Sequence, residues 1–280
     1  MSPSPRRRRR LDIASLLVIP LGFAVVLFAQ VVDGVGLRSL WHASAALIVL
    51  GGTLGAVLIS YSPREIGRAV TAAGRAFLAV DDDIDALAAR LVALSIRAHR
   101  RGLPAIEADV EQISDPFLKG GLALVVDNTA SETLIEYLTV EKAARDAEDE
   151  SPARVFEAAA GYAPTLGILG AVLGLIRVMQ QLGSPSTLGA GIAVAFVATA
   201  YGVASANLVL LPLAGRLRER AAMATRRRDL IVQGVCAIQQ RVNPRLVAQK
   251  LRAFSTDMPR IEDLAPRMAA AGSLRARMLS

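Results

Sequence analysis

Four stretches of the chain, 13–32, 39–60, 158–182 and 189–212, are almost wholly apolar. Each reaches the roughly 18 residues needed to cross a bilayer as a helix. Elsewhere the pattern changes. "IDALAARLVALSIRAHRRG" and "SETLIEYLTVEKAARDAEDE" set apolar residues three and four apart with charges between them, the period of amphipathic helices. Gly102, Pro104, Pro116 and Gly120 are expected to punctuate this region into short helices. "RDLIVQGVCAIQQRVNPRLVAQKLRAF" is helical by the same criterion, with a break at Asn243-Pro244. The expected fold is an all-α integral membrane protein: four transmembrane helices, a large helical cytoplasmic insert and a helical cytoplasmic tail. The expected segments are a basic N-terminus at 1–12, spans one and two within 13–60, the insert at 61–157, spans three and four within 158–213, and the tail at 214–280.

Orientation follows from the basic residues that flank the spans. Arg6 to Arg10 precede the first, Arg64 and Arg68 follow the second, Arg154 precedes the third, and Arg216, Arg218 and Arg220 follow the fourth. Only Arg38 lies between the first two spans, and "GSPSTLGA" between the last two is uncharged. Both termini and the insert are therefore expected in the cytoplasm, with the chain in a bacterial inner membrane. A basic stretch before an apolar run is also the layout of a secretory signal peptide. This run, however, exceeds the usual apolar core of such a peptide, and a second span follows at once.

Composition refines this picture only in places. The chain of 280 residues is 53% hydrophobic yet 20% charged, so charge and apolarity are segregated. Its net charge of +7 is concentrated in the N-terminal run and the tail, which fits topology and anionic lipid better than nucleic acid. Cys236 is the single cysteine, and His42 and His99 are expected on opposite sides of the membrane. No metal site within one chain, no cofactor and no candidate nucleophile or acid–base pair follows from these residues. The acidic residues Asp81 to Asp83, Asp85 and "RDAEDE" stand against the basic run Arg226 to Arg228. They either pair or form two solvated faces.

The spans carry the mechanism. Gly51 and Gly55 lie four apart, as do Gly170 and Gly174, and Ala198, Gly202 and Ala206 repeat that spacing in the fourth span. Small residues at this spacing let membrane helices approach closely. Pro164 and Pro212 interrupt the third and fourth spans near their cytoplasmic ends at matching depth, where they form a hinge, line a wet passage or are ordinary helix ends. Ion passage usually needs an ionisable group inside the membrane. No Asp, Glu or Lys falls in any of the four spans, and Arg177 is their only charge. Either the chain moves no ions or another subunit supplies the acid.

"ALIVLGGTLGAVLISY", "YAPTLGILGAVLGLI", "GAGIAVAFVATAYGVASANLVLLPLA" and "GVCAIQQRVNPRLVAQKL" closely resemble the MotA family of flagellar motor stator subunits. The resemblance covers all four spans, their order, the insert and much of the tail. It implies a homopentameric ring around a dimer of a MotB-like, single-span partner. That partner's span carries the ion-binding aspartate, and ion flow drives the ring against the rotor protein FliG. It also implies roles for particular residues. Pro164 and Pro212 match prolines that couple ion binding to conformational change, and Thr199 matches a threonine facing the ion path. Ala171 falls where sodium-driven relatives carry threonine, which favours protons. Glu107 fits the rotor-contacting Arg…Gly…Glu segment, whereas His99 stands at the arginine position with Arg100 beside it.

Two other readings remain. An ExbB/TolQ-like proton-driven energiser also surrounds a partner's helices, but four spans with a short first hairpin depart from its usual three. A transporter with its own substrate site would call for polar intramembrane residues and a second comparable repeat. The sequence shows neither.

Overall fold

The computed structural model describes Ala24, Phe28 and residues 41–78, 84–180 and 185–254. The expected first span at 13–32 therefore lies outside the described residues, Ala24 and Phe28 excepted, as do Asp81 to Asp83, residues 181–184 and those beyond 254. Every element among the described residues is helical. In chain order these are α1 (Ala43–Ser60), α2 (Pro63–Arg75), α3 (Ile84–Arg101), α4 (Glu107–Glu111), α5 (Pro116–Val126), α6 (Ser131–Gln180), α7 (Pro185–Ala204), α8 (Leu211–Gln239) and α9 (Pro244–Leu251). A π-helical turn at Leu47–Gly51 interrupts α1, and another at Ser205–Leu210 joins α7 to α8. Among the described residues, three helical stretches are long and apolar enough to cross a membrane: Ala43–Ser60, Ser131–Gln180 and Gly191–Gln239.

The chain divides into two compact units, residues 1–80 with 148–221, and residues 81–147 with 222–280. In the second, α3, α5, the start of α6, the end of α8 and α9 bury one continuous core that includes Leu91, Ile106, Leu118, Leu122, Leu134, Leu138, Leu230, Ile231 and Leu251. The signals that delimit these helices are local. Asp115 caps α5, its carboxylate accepting from the Phe117 and Leu118 amides, with Pro116 at the first helical position. Asn243 caps α9 in the same way ahead of Pro244, so the expected break falls where it was read. Gly120 does not punctuate. It lies inside α5, where a Cβ would sit 3.0 Å from the Tyr137 hydroxyl, so the small residue serves packing and not a turn.

Charge pairing ties this unit together. Asp146 accepts from Arg228 Nη1 at 3.0 Å, from Thr225 Oγ1 at 3.0 Å and from Lys142 Nζ at 2.8 Å, and Arg227 bonds Asp115 at 2.9 Å. Of the two readings of the acidic and basic runs, pairing describes Asp146 and Arg228, while Arg227 pairs with Asp115, outside those runs. Arg228 is only 8% exposed. Burial pushes its pKa down while Asp146 opposes that shift, and the guanidinium remains charged.

In the first unit, α6 runs unbroken through Pro152 and Pro164, and Pro212 is the second residue of α8 directly after a π-helical turn. Neither proline of interest is an ordinary helix end. α2 begins with a reciprocal cap, in which the Ser62 hydroxyl accepts from the Glu65 amide while the Glu65 carboxylate accepts from the Ser62 amide.

Candidate functional site

The seam between α6 and α7 is built from the absence of side chains. A Cβ placed on Gly174 would lie 3.0 Å from the Ala195 Cβ, and one on Gly170 would lie 2.8 Å from the Ala198 Cβ. On Gly167 it would meet the Ala198 carbonyl oxygen at 3.0 Å and the Thr199 and Gly202 Cα atoms at 3.3 Å. On Gly202 it would come within 2.5 Å of the Ala163 carbonyl oxygen and 3.1 Å of the Pro164 Cα. Positions rise along one helix as they fall along the other, so the pair is antiparallel and packed backbone against backbone. Facing carbonyls and glycine Cα atoms in this arrangement permit Cα–H···O contacts. Ala160, Ala163 and Ala206 continue the seam.

α1 lies on the same pair. Ala45 and Val49 pack with Val197 and Ala198, and a Cβ on Gly52 would lie 3.1 Å from the Leu166 side chain. The His42 amide donates to the Tyr201 hydroxyl at 3.3 Å, and the Ser60 and Tyr162 hydroxyls lie 2.9 Å apart. Gly51 and Gly55, grouped by spacing with the other small residues, have nothing within 4 Å of an added Cβ in the isolated chain. Gly52 is the glycine of α1 that makes the close contact.

The remaining candidates fall around this seam. Thr199 is half-buried, and its hydroxyl donates back to the Ala195 carbonyl at 3.4 Å. Ala171, also half-buried, is the neighbour of Gly170. Pro164 lies level with Gly202, and Pro212 stands ten residues further along, which is about 15 Å of helix at 1.5 Å per residue. The expectation that the two prolines share one depth does not hold, because the antiparallel register pairs Pro164 with Gly202. One face of the helix pair is apolar and uncovered, with Phe196 at 73% exposure and Ile168, Val172 and Val203 also exposed. Asn207, an amide on that surface, and the two π-helical turns escaped the sequence reading. A lone asparagine in a long apolar run was the available signal for the first, and no residue pattern announces the second.

His99, Arg100 and Glu107 form a separate group in the second unit. His99 and Arg100 are exposed in the last turn of α3, and Glu107 is exposed as the first residue of α4. The chain reverses between them at Gly102, whose φ of +86° favours glycine, and buried Leu103 and Ile106 pin the turn. Arg97 and Asp109 close it with an ion pair that the sequence did not signal. None of His99, Arg100 and Glu107 has an ion-pair partner among the described residues.

Comparison with known proteins adds to this geometry. Residues 109–229 match the model of the MotA/TolQ/ExbB proton channel family. Motility protein A of Bacillus subtilis is 32% identical over 245 residues, covering 87% of this chain and 91% of that protein. Chemotaxis protein PomA of Vibrio alginolyticus is 31% identical over 244 residues, covering 87% and 95%. Among solved structures, C. jejuni MotAB superposes with a TM-score of 0.80 at 26% identity, covering 90% of this chain and 99% of that one. The flagellar MotAB stator complex from Bacillus subtilis does so with a TM-score of 0.77 at 32% identity, covering 86% and 95%.

Proposed function

The chain belongs to the MotA/TolQ/ExbB proton channel family, and from that premise we propose that it is the torque-generating stator subunit of a bacterial flagellar motor. It sits in the inner membrane as a four-span protein with both termini in the cytoplasm, the span at 13–32 being the first. Five copies surround a MotB-like partner that carries the ion-binding aspartate, and the ring they form turns against the rotor protein FliG. The likeness to stator complexes over nearly the whole chain supports this reading against an ExbB/TolQ-like energiser.

One observation carries the mechanism: the α6–α7 seam leaves a continuous apolar face uncovered while offering no carboxylate inside the membrane. A helix that brings an acid to that face completes an ion path that this chain cannot form alone. Thr199 and Ala171 flank the path, and Ala171, lacking a hydroxyl to replace a sodium ion's hydration, favours protons. Protonation of the partner's acid removes a charge from the shared interface and shifts which packing of α6 and α7 is preferred. Pro164 and Pro212, each interrupting the backbone ladder, are where that shift bends the helices. Arg100, Glu107 and His99 present the charges that meet the rotor.

The test is proton uptake by liposomes. The chain with its one-span partner should take up protons along an imposed gradient, and the chain alone should not. Equal, specific flux through the chain alone would sink the proposal, as would sodium-dependent motility at an intact protonmotive force for the choice of ion.

A further inference from the structure

The fourth span carries one carboxamide where lipid or an apolar helix would be expected. Asn207 is exposed, and its neighbours along that face, Phe196, Ala200, Val203 and Leu211, are exposed and apolar. Thr199, Val203 and Asn207 follow one another at four-residue spacing, so they line one row of the helix surface. The Asn207 side chain donates one N–H to the Val203 carbonyl at 2.9 Å. Its second N–H and its carbonyl oxygen remain available.

The backbone adds a second polar group at the same place. Asn207 lies within the π-helical turn Ser205–Leu210, where the Leu211 amide reaches back five residues to the Ala206 carbonyl. The next amide in that register would belong to position 212 and would donate to the Asn207 carbonyl. Residue 212 is proline and has no N–H. The wide turn also advances less around the axis per residue than an α-helix does, which turns Asn207 back towards the face that carries Thr199. A main-chain carbonyl short of a donor and a carboxamide with spare capacity thus converge on a surface that is otherwise apolar. Neither is tolerated against lipid without a partner.

We propose that Asn207 is a positioning residue for the cytoplasmic half of the ion path, where its carboxamide and main-chain carbonyl hold the water chain that carries protons away from the partner's acid. The inference rests on the stator reading given above. Asn207 itself does not ionise. A proton arriving on the first water is matched by one leaving the last, and no bond of the protein forms or breaks. The amide accepts from a hydronium through its oxygen and donates to the next water through nitrogen, so it orders the chain in either protonation state. Prolines and hydroxyls elsewhere in the span do not supply this pair, because the Ser205 and Thr199 hydroxyls each donate back to their own helix.

The experiment uses liposomes holding the chain with its one-span partner, read by a pH-sensitive dye, alongside partner co-purification. Asn207→Leu should leave co-purification unchanged and lower proton uptake by about ten- to a hundredfold, the rate equivalent of a hydrogen bond to a moving charge. Asn207→Gln, which keeps the carboxamide, should recover most of that flux. Wild-type rates in Asn207→Leu overturn the inference and leave the stator reading standing. Loss of the partner from Asn207→Leu makes the residue an assembly contact, and failure of Asn207→Gln makes it a matter of shape; either also overturns the inference. A wild-type complex that takes up no protons overturns both readings together.

Discussion

At Gly202 the first atom of any side chain decides whether two helices can meet. The position a Cβ would occupy lies 2.5 Å from the Ala163 carbonyl oxygen and 3.1 Å from the Pro164 and Gly167 Cα atoms. All three are backbone, so no rotamer change can relieve the overlap. Overpacking of this kind costs about 1–3 kcal/mol. Gly202→Ala is therefore expected to lower the thermal midpoint of the purified chain in detergent, while Gly51→Ala and Gly55→Ala, with open space at both sites, leave it within error. Equal midpoints for all three variants would show that the seam gives way where the geometry says it cannot. The spacing of small residues was legible in the sequence, but which of them meet a neighbour was not. A four-residue repeat defines a stripe on one helix, and its use depends on where the other helices stand. For that reason Gly51 and Gly55 looked equivalent to Gly170 and Gly174, although Gly52 is the glycine of α1 that lies close to α6.

Helices carry the next level of organisation, and their ends were the readable part. Prolines preceded by Asp115 and Asn243 announced the starts of α5 and α9 because a cap is a local interaction between residues two or three apart. Continuity was less visible. α6 extends for 50 residues from Ser131 to Gln180, through two prolines, because packing on both units outweighs the loss of a few ladder bonds. Within the second unit, α6 and α8 are held by Asp146, which serves Arg228, Lys142 and Thr225 together. Asp146→Ala removes the carboxylate that Arg228, Lys142 and Thr225 share, while Arg228 keeps the Arg145 carbonyl and the nearby charges of Asp115 and Asp229, so the cost is that of a charged hydrogen bond, about 1.5–3 kcal/mol. A fall of that size in denaturant-melt stability is expected, whereas a change below a quarter of it would mean that Arg228 finds other compensation. Lys142 adds a pH signature. Its pKa is raised, first by the hydrogen bond to Asp146 and then by Asp229, against desolvation. A raised folded-state pKa contributes stability that is complete below the unfolded value of about 10.4 and is lost as pH climbs through the raised value. Wild-type stability should thus be insensitive to Lys142 through neutral pH and decline only in strong alkali. In Asp146→Ala, with its largest cause removed, the decline should start at the same pH but be smaller.

For the whole molecule, the stator reading proposed above requires that a change at the membrane face become force on a rotor. Torque needs a surface that grips, and the exposed charges of the second unit have the properties such a surface requires. Arg100 and Glu107 flank a turn fixed by Gly102, by buried Leu103 and Ile106, and by the Arg97–Asp109 pair, so their spacing is set by the core and not by their own attraction. Exposed charges of this kind contribute little to folding, about 0–1 kcal/mol per pair, yet they steer and register an interface. Reversing them should therefore separate function from structure. Glu107→Lys with Arg100→Glu is expected to leave membrane levels, ring size and partner co-purification unchanged while torque on tethered cells falls severalfold. Each single reversal should cost part of that, and complementary reversal of the facing rotor charges should restore it. His99, which stands where the family resemblance places an arginine, supplies the control. If this arrangement substitutes Arg100 for a cation at position 99, His99→Ala should be milder than Arg100→Ala. Unimpaired rotation in the double variant would leave these side chains as solvated surface only. Loss of the complex from the membrane would show instead that the turn they flank belongs to the fold.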